Sequence, residues 1–476
     1  MKNKQPIPWT TREILDATSG ELLCGDQDRQ FSGVSIDSRK IFPSDIFFAI
    51  TGDTHDGHGF ASAVVDQGVR GLVVSRRELE RLSVAAWKAN NVACIAVADT
   101  TKALGDLAAF NRRRANASVV AITGSNGKTS TRQLIAGVLV RQYRTLAAVG
   151  NFNNQIGLPL TLLGLSPDHQ WAVVELGTNN PGEIARLTEI CSPDIGVITN
   201  IGPAHLEGLG SLDGVMREKG DLINGLNRDG KAVLNADDPR VLQLARETKN
   251  EVLLYGWSPD AAIRAQEVKE GEQAISFLLI FGQESIAVRL NSPGRFMISN
   301  ALAAAAVGYL LGISAATVKK GIETFTPEAG RMNIFHLPNG VHMIDDCYNA
   351  NPDSMKAALA ALSQMGTTSR RIFVAGDMLE LGAQAPQFHS KVGALAAHSE
   401  ISRLYAKGEF ADWVASGARD EGLPAANTIT GSRAEIIEDL TAWLRPGDWV
   451  LVKGSRGMAM EKVVDDLKQW AKGSHG

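Results

Sequence analysis

Cysteine is scarce in this chain. Among 476 residues there are four, Cys24, Cys94, Cys191 and Cys347, widely spaced and without a CxxC pair. That excludes a zinc knuckle and a disulfide framework as organising devices and makes a reducing cytoplasm the expected compartment. Excess charge is missing too: a formal net charge of -4 speaks against a large nucleic-acid footprint. Long apolar runs are absent. The opening MKNKQPIPWTTREILDATSG has no apolar core of leader length, and the alanine-rich ISNALAAAAVGYLLGIS runs for only about 15 residues, which predicts a buried helix and no membrane span. Proline is low, 17 against 47 glycines, and there is neither an internal repeat nor a low-complexity segment.

What remains is the composition of a folded protein, 44% apolar and 21% charged, with many glycines for tight strand-to-helix turns. The length favours about three domains of roughly 150 residues. Residues 1–98 read as a small α/β domain with short apolar strands such as DIFFAI, VRGLVVS and CIAVADT. Residues 99–326 repeat strand, glycine turn, helix: VVAITGSNGKTSTRQLIAGVL, WAVVELGTNNPGEIARL, IGVITNIGPAHLEGLGS and KAVLNADDPRVLQLAR. Continuous apolar strands alternating with helices predict a parallel sheet covered on both faces, with polar clusters gathered at the strands' carboxyl ends. Residues 327–476 restart the alternation and predict a Rossmann-like domain. The fold class is therefore α/β in three domains.

The most chemically explicit stretch is TGSNGKTS. A buried strand to Ile122, a turn over Gly124–Gly127 and a helix from Lys128 form a phosphate cradle: glycines let the backbone wrap the anion, and unpaired helix N–H groups face it. Lys128 is expected to reach the β- and γ-phosphates and Thr129 to ligate magnesium, with Thr123, Ser125, Asn126 and Ser130 completing the loop. The general pattern GxxxxGK[ST] needs a glycine at 122, where this chain has Ile122, so the loop is a shortened variant. An ordinary turn with an exposed lysine is the plain alternative.

Other polar groups follow the remaining strands. Glu175 ends WAVVEL, where a carboxylate suits a magnesium ligand or, more plainly, a turn or helix cap. His205 follows VITNIGPA in a loop stiffened by Gly202 and Pro203, as a metal or phosphate contact or a structural histidine. Lys219 falls on a helix, where spacing alone suggests a solvated lysine paired with Glu218 or Asp221. In DDCYNANPDSM, Asp345 and Asp346 end a strand and Asn351 to Asp353 make a helix start, while Tyr348 and Asn349 between them are able to stack on a base or hydrogen-bond its edge.

Taken in order, TGSNGKTS, ELGTNNPGEI, TNIGPAHLEGLGS with REKGDL, GRFMISNALAAAA, GRMN, DDCYNANPDSM, GDMLELG and KGSRGMAMEKVV resemble the Mur ligase family of ATP-dependent amide-forming enzymes, over essentially the whole chain. In that family the shortened phosphate loop is normal. VSIDSRKIFPSDIFFAITGDTHDGHGF and NFNNQIGLPLTLL resemble the members that join D-alanyl-D-alanine to UDP-MurNAc-tripeptide. The resemblance implies domains for the UDP-sugar, for ATP and for the incoming dipeptide, and a monomer in which ATP converts the tripeptide carboxylate to an acyl phosphate that the dipeptide amine then attacks. It implies two magnesium ions served by Thr129, Glu175, His205 and Lys219, the last carrying CO2 as a carbamate. It implies ATP contacts at Asn300, Arg331, Asp345, Tyr348 and Asn349. It further implies UDP contacts at Ser35, Ser38, Arg39, Thr51 and Gly52, muramoyl-peptide contacts at Asn153 and Asn154, and a dipeptide pocket bordered by Gly376, Asp377, Lys453, Ser455 and Arg456. The competing expectations are a ligase adding the third amino acid, a folylpolyglutamate synthetase, and a nucleotide-binding regulator without chemistry. Intact Lys128, Thr129, Glu175, His205 and Lys219 argue against the last.

Overall fold

The structure, a computed structural model, describes residues 7–52, 54–148, 150–366 and 369–473. Among the described residues, three large sheets follow one another along the chain, besides a two-stranded pair of Trp9–Thr10 and Gln30–Phe31. The first has five strands in the order Glu21–Cys24, Ala93–Val97, Gly71–Ser75, Asp45–Phe48, Gly33–Ser35, antiparallel only at the first pair. The last has six, Asn333–His336, His342–Asp346, Trp449–Lys453, Arg371–Gly376, Arg403–Lys407, Thr428–Thr430, again with one antiparallel edge strand on a parallel sheet.

The central sheet has nine strands. Ser118–Thr123 lies between Trp171–Glu175 and Ile195–Ile198, all parallel, with Lys231–Asn235 outside the latter. Residues 119–122 and 172–174 are fully buried, as continuous apolar runs between two helical layers must be. Register decides the rest. Glu175 pairs with Ile122 and Ile198 with Thr123, so these strands stop at one level and the loops after them meet at one edge.

The expected all-parallel central sheet is corrected in one respect. Ile263–Glu270, Ile275–Phe281 and Glu284–Leu290 form an antiparallel meander on its flank. ISFLLIF alternates buried and half-buried positions because only one face is covered, and the two-residue connection through Gly282, at φ 64°, permits the hairpin. The alanine-rich segment forms a buried helix, Phe296–Leu310, packed against the phosphate-loop helix Lys128–Leu139. No helix among the described residues is long and apolar enough to cross a membrane. All four cysteines are buried and free.

Candidate active site

The phosphate loop forms where the sequence placed it. Gly124 and Gly127 sit at φ 151° and 80°, and Gly127 caps the Lys128–Leu139 helix with no side-chain partner, leaving its N–H groups directed into the cleft. A Cβ on Gly127 would lie 2.4 Å from Asn300 Oδ1, so the small residue also admits the buried helix beside the loop. Lys128 Nζ donates to Gly124 O at 2.8 Å. Burial holds its pKa down, against the opposing pull of Glu175, and Arg331 adds to the depression.

Glu175 is gripped from two sides. Thr129 Oγ1 donates to its Oε2 at 2.8 Å and Asn153 Nδ2 to its Oε1 at 2.9 Å, while the side chain is almost wholly buried. It caps no helix. The plain reading of Lys219 also fails: the residue is 1% exposed and has no ion-pair or hydrogen-bond partner among the described residues. Glu218 turns instead to the start of the Glu183–Cys191 helix, accepting from Gly182 N, Ile184 N and Thr178 Oγ1. Burial and then nearby Lys128 push the Lys219 ammonium well below its ordinary range, with Glu218 opposing.

The C-terminal domain closes the cleft from above. His205, in left-handed conformation at φ 56°, meets Glu380 with Nδ1 2.5 Å from Oε2, and this hydrogen bond holds the Glu380 carboxyl low. Asn351 Nδ2 donates to Asn126 Oδ1 of the phosphate loop at 2.9 Å. The Arg331 guanidinium lies 4.0 Å over the Tyr348 ring, with Arg456 5.4 Å from the same ring. Arg331 Nε is buried without a protein partner, while other parts of the residue line the cavity.

These groups share one cavity of about 880 Å3, reached by Thr51 and Gly52 from the first domain, by Ser125 to Ser130, Asn153, Asn154, Glu175, His205 and Asn300 from the central one, and by Arg331, Tyr348, Asn349, Lys453, Ser455 and Arg456 from the last. Several expected residues stay outside its lining, Lys219 among them. Thr123 Oγ1 donates to Leu176 O, and Gly124 shapes the loop from behind. Ser35 and Ser38 stand away, while Arg39 is committed to Asp37 at 2.9 Å. Asp345 is buried against Cys347 N, and its neighbour Asp346 takes the cavity position with Lys453 Nζ at 2.6 Å. Successive strand residues face opposite ways, which separates this pair. Gly376 packs on Met460, and Asp377 accepts from Glu409 N and Phe410 N ahead of the Ala411–Asp420 helix. Sequence reasoning missed Asn235, Tyr255 and Phe325, which line the cavity beyond the phosphate loop. Asn235 ends the strand of NADDP, so the strand-end rule that found Glu175 could have found it.

The chain matches three family models: one described as Mur ligase family, catalytic domain, over residues 30–112, the Mur ligase middle domain over 122–308, and the Mur ligase, glutamate ligase domain over 330–456. The chain belongs to the Mur ligase family. Within this family it is 36% identical to the UDP-N-acetylmuramoyl-tripeptide--D-alanyl-D-alanine ligase of Escherichia coli, over 97% of this chain and 99% of that one. The Bacillus subtilis protein of the same name is 33% identical over 97% and 98%. Among solved Mur ligases, a crystal structure of MurF from Acinetobacter baumannii superposes with a TM-score of 0.89 at 32% identity, covering 98% of this chain and all of that one.

Proposed function

We propose that this protein is an ATP-dependent ligase joining D-alanyl-D-alanine to UDP-MurNAc-tripeptide, giving UDP-MurNAc-pentapeptide, ADP and phosphate. The observation that carries the reading is the single cavity in which a phosphate loop, the Thr129–Glu175–Asn153 cluster and both flanking domains meet. Full-length relatives named for this reaction favour it over a third-residue ligase or folylpolyglutamate synthetase.

A carboxylate is a poor electrophile, so the amide requires activation. The γ-phosphoryl of ATP passes to the terminal tripeptide carboxylate, the dipeptide amine attacks the acyl phosphate, and phosphate leaves. Two anions must approach each other, which makes positioning and charge neutralisation the main tasks. The helix N–H groups behind Gly127 receive the phosphates. Lys128, released from Gly124 O, follows the transferring phosphoryl. Arg331, which lines the cavity and lies over the Tyr348 ring, brings a cation toward the nucleotide, and Tyr348 lines the cavity beside it.

Magnesium fits the residues present. No cluster of three or more His, Cys, Asp or Glu side chains able to hold a metal occurs among the described residues. Magnesium asks for less, one or two carboxylates with phosphate and water completing its shell, and Thr129 with Glu175 forms such a pair. Thr129 and Glu175 would hold the ion, which would supply positive charge against the negative charge shared by ATP and the carboxylate. His205, which lines the cavity, and Lys219, buried outside its lining, are the residues that would serve a second ion. An uncharged lysine amine is the form that adds to CO2, releasing a proton and becoming a carbamate. Lys219, buried beside Lys128 without a carboxylate partner, meets that requirement, and the new anion would offset the neighbouring cation.

The test is ATP-dependent ligation with diaminopimelate- and lysine-containing UDP-MurNAc-tripeptides, read by mass. A product heavier by one D-alanyl-D-alanine residue pair is expected. Phosphate release without that product refutes the reading.

A further inference from the structure

We propose that Arg132 is a positioning residue that couples the phosphate-loop helix to both the substrate loop and the interdomain linker, and that its bond to Glu328 keeps water from the acyl phosphate. The inference rests on the ligase reading above.

Arg132 lies four residues after Lys128 on the same helix face, yet points away from solvent at 1% exposure. Both terminal nitrogens of its guanidinium are engaged. Nη1 donates to Ala148 O and to Gly150 O, each at 2.8 Å, and Nη2 to Glu328 Oε1 at 2.6 Å. Gln133 Nε2 joins the same Glu328 oxygen at 3.0 Å.

Each arm holds a stretch that leads on to cavity-lining residues, Asn151 and Asn153 on one side and Gly330 and Arg331 on the other. The carbonyl arm holds the stretch leading to Asn153, whose amide holds Glu175, which in turn receives Thr129 from the helix that carries Arg132. The circuit therefore closes on itself. The carboxylate arm holds the linker between the central and C-terminal domains. Three residues beyond Glu328, after a turn closed by Arg331 N donating to Glu328 O, Arg331 lies over Tyr348. Arg141 Nη2 ties Thr324, at the linker's start, to the end of the same helix at 3.1 Å. The linker is thus fastened at two points along the helix whose first residue meets phosphate.

A guanidinium is suited to this task because its planar fork serves several acceptors in fixed directions, which a lysine ammonium does not. Its burial also penalises any rearrangement that leaves an arm unpaired. The Glu328 arm ties the linker to the phosphate-loop helix, beside the direct Asn351–Asn126 and His205–Glu380 contacts of the C-terminal domain. If that arm is absent, the domain no longer registers on the loaded nucleotide, and water enters. Water then attacks the acyl phosphate, the carboxylate is regenerated and phosphate leaves without an amide.

The discriminating measurement is phosphate released per amide formed. A simple loss of folded protein lowers both products alike and leaves this ratio at one. Glu328 is partly exposed, so E328A can be prepared without emptying a core site. We expect E328A to raise the ratio at least threefold, R132K to raise it as well, and E328Q, which keeps the acceptor, to stay within twofold of the unaltered protein. An unchanged ratio in E328A while the unaltered protein ligates normally overturns the coupling alone. Equal uncoupling in E328A and E328Q overturns the assignment to hydrogen-bonded geometry. Absence of amide product from the unaltered protein overturns the ligase reading beneath it.

Discussion

Replacing Lys219 by methionine should make the protein more stable and nearly inactive. The side chain is buried at 1% exposure, unpaired among the described residues, and near Lys128. Its folded-state pKa is therefore depressed well below 10.5, first by burial. The unfolded chain binds the proton more tightly, so the penalty is complete below the folded pKa and shrinks as pH rises toward 10.5. Each unit of depression costs about 1 kcal/mol or somewhat more. A methionine of similar length carries no such penalty. At about 2–4 °C per kcal/mol for a domain of this size, K219M should raise Tm by at least a few degrees at neutral pH and flatten the gain in stability toward alkaline pH. Bicarbonate should narrow the gap by stabilising only the lysine form, because carbamate formation removes the cation. The assays are thermal melts across pH, with and without bicarbonate, beside amide formation. A K219M protein that melts lower than its parent, or that ligates normally, refutes the reasoning. Restoration of K219A by a short carboxylic acid would support the carbamate from the activity side.

Three further predictions concern the phosphate end of the site. K128A should lower phosphate release at least 100-fold, on the scale of losing one preorganised charge-stabilising donor, and hydroxylamine should then trap no hydroxamate although it does so with the unaltered protein and UDP-MurNAc-tripeptide. Gly127→Ala places a Cβ 2.4 Å from Asn300 Oδ1 at φ 80°; the left-handed strain alone is about 1–2 kcal/mol, which the free loop sheds by relaxing and must restore to bind, so KM for ATP should rise roughly tenfold, with N300A relieving the clash but not the strain, and an unchanged KM would show that the loop does not relax. Asn153→Ala frees Glu175 Oε1 from a charge-assisted bond of 2.9 Å. The magnesium concentration for half-maximal rate should rise about tenfold, since hydrogen bonds to charged groups contribute about 1.5–3 kcal/mol, and an unchanged magnesium titration would show that Asn153 does not orient the carboxylate.

The sequence by itself determined what is local. Gly124 and Gly127 before a helix starting at Lys128 are legible because only glycine takes those φ values readily and because helix N-termini expose unpaired N–H groups. The three α/β blocks and the buried alanine-rich helix follow from apolar periodicity in the same way. The capping of Pro352–Ser363 by Asn351 is equally local. Tertiary structure decided which residue of a local pair faces the cleft and which distant groups meet. Asp346 lines the cavity and Asp345 does not, because strand alternation fixes opposite facings but only the packed sheet says which is inward. Asp377 caps a loop that lies more than thirty residues away, and Glu218, beside Lys219 in the chain, serves another helix instead. Spacing could not announce that Lys219 is isolated or that Arg132 meets Glu328, since the first depends on how the packed chain removes the side chain from water and the second on a contact between residues 196 positions apart. Chain order specifies the chemistry available at each strand end; desolvation and contact across domains specify which of those groups are charged, paired and in reach.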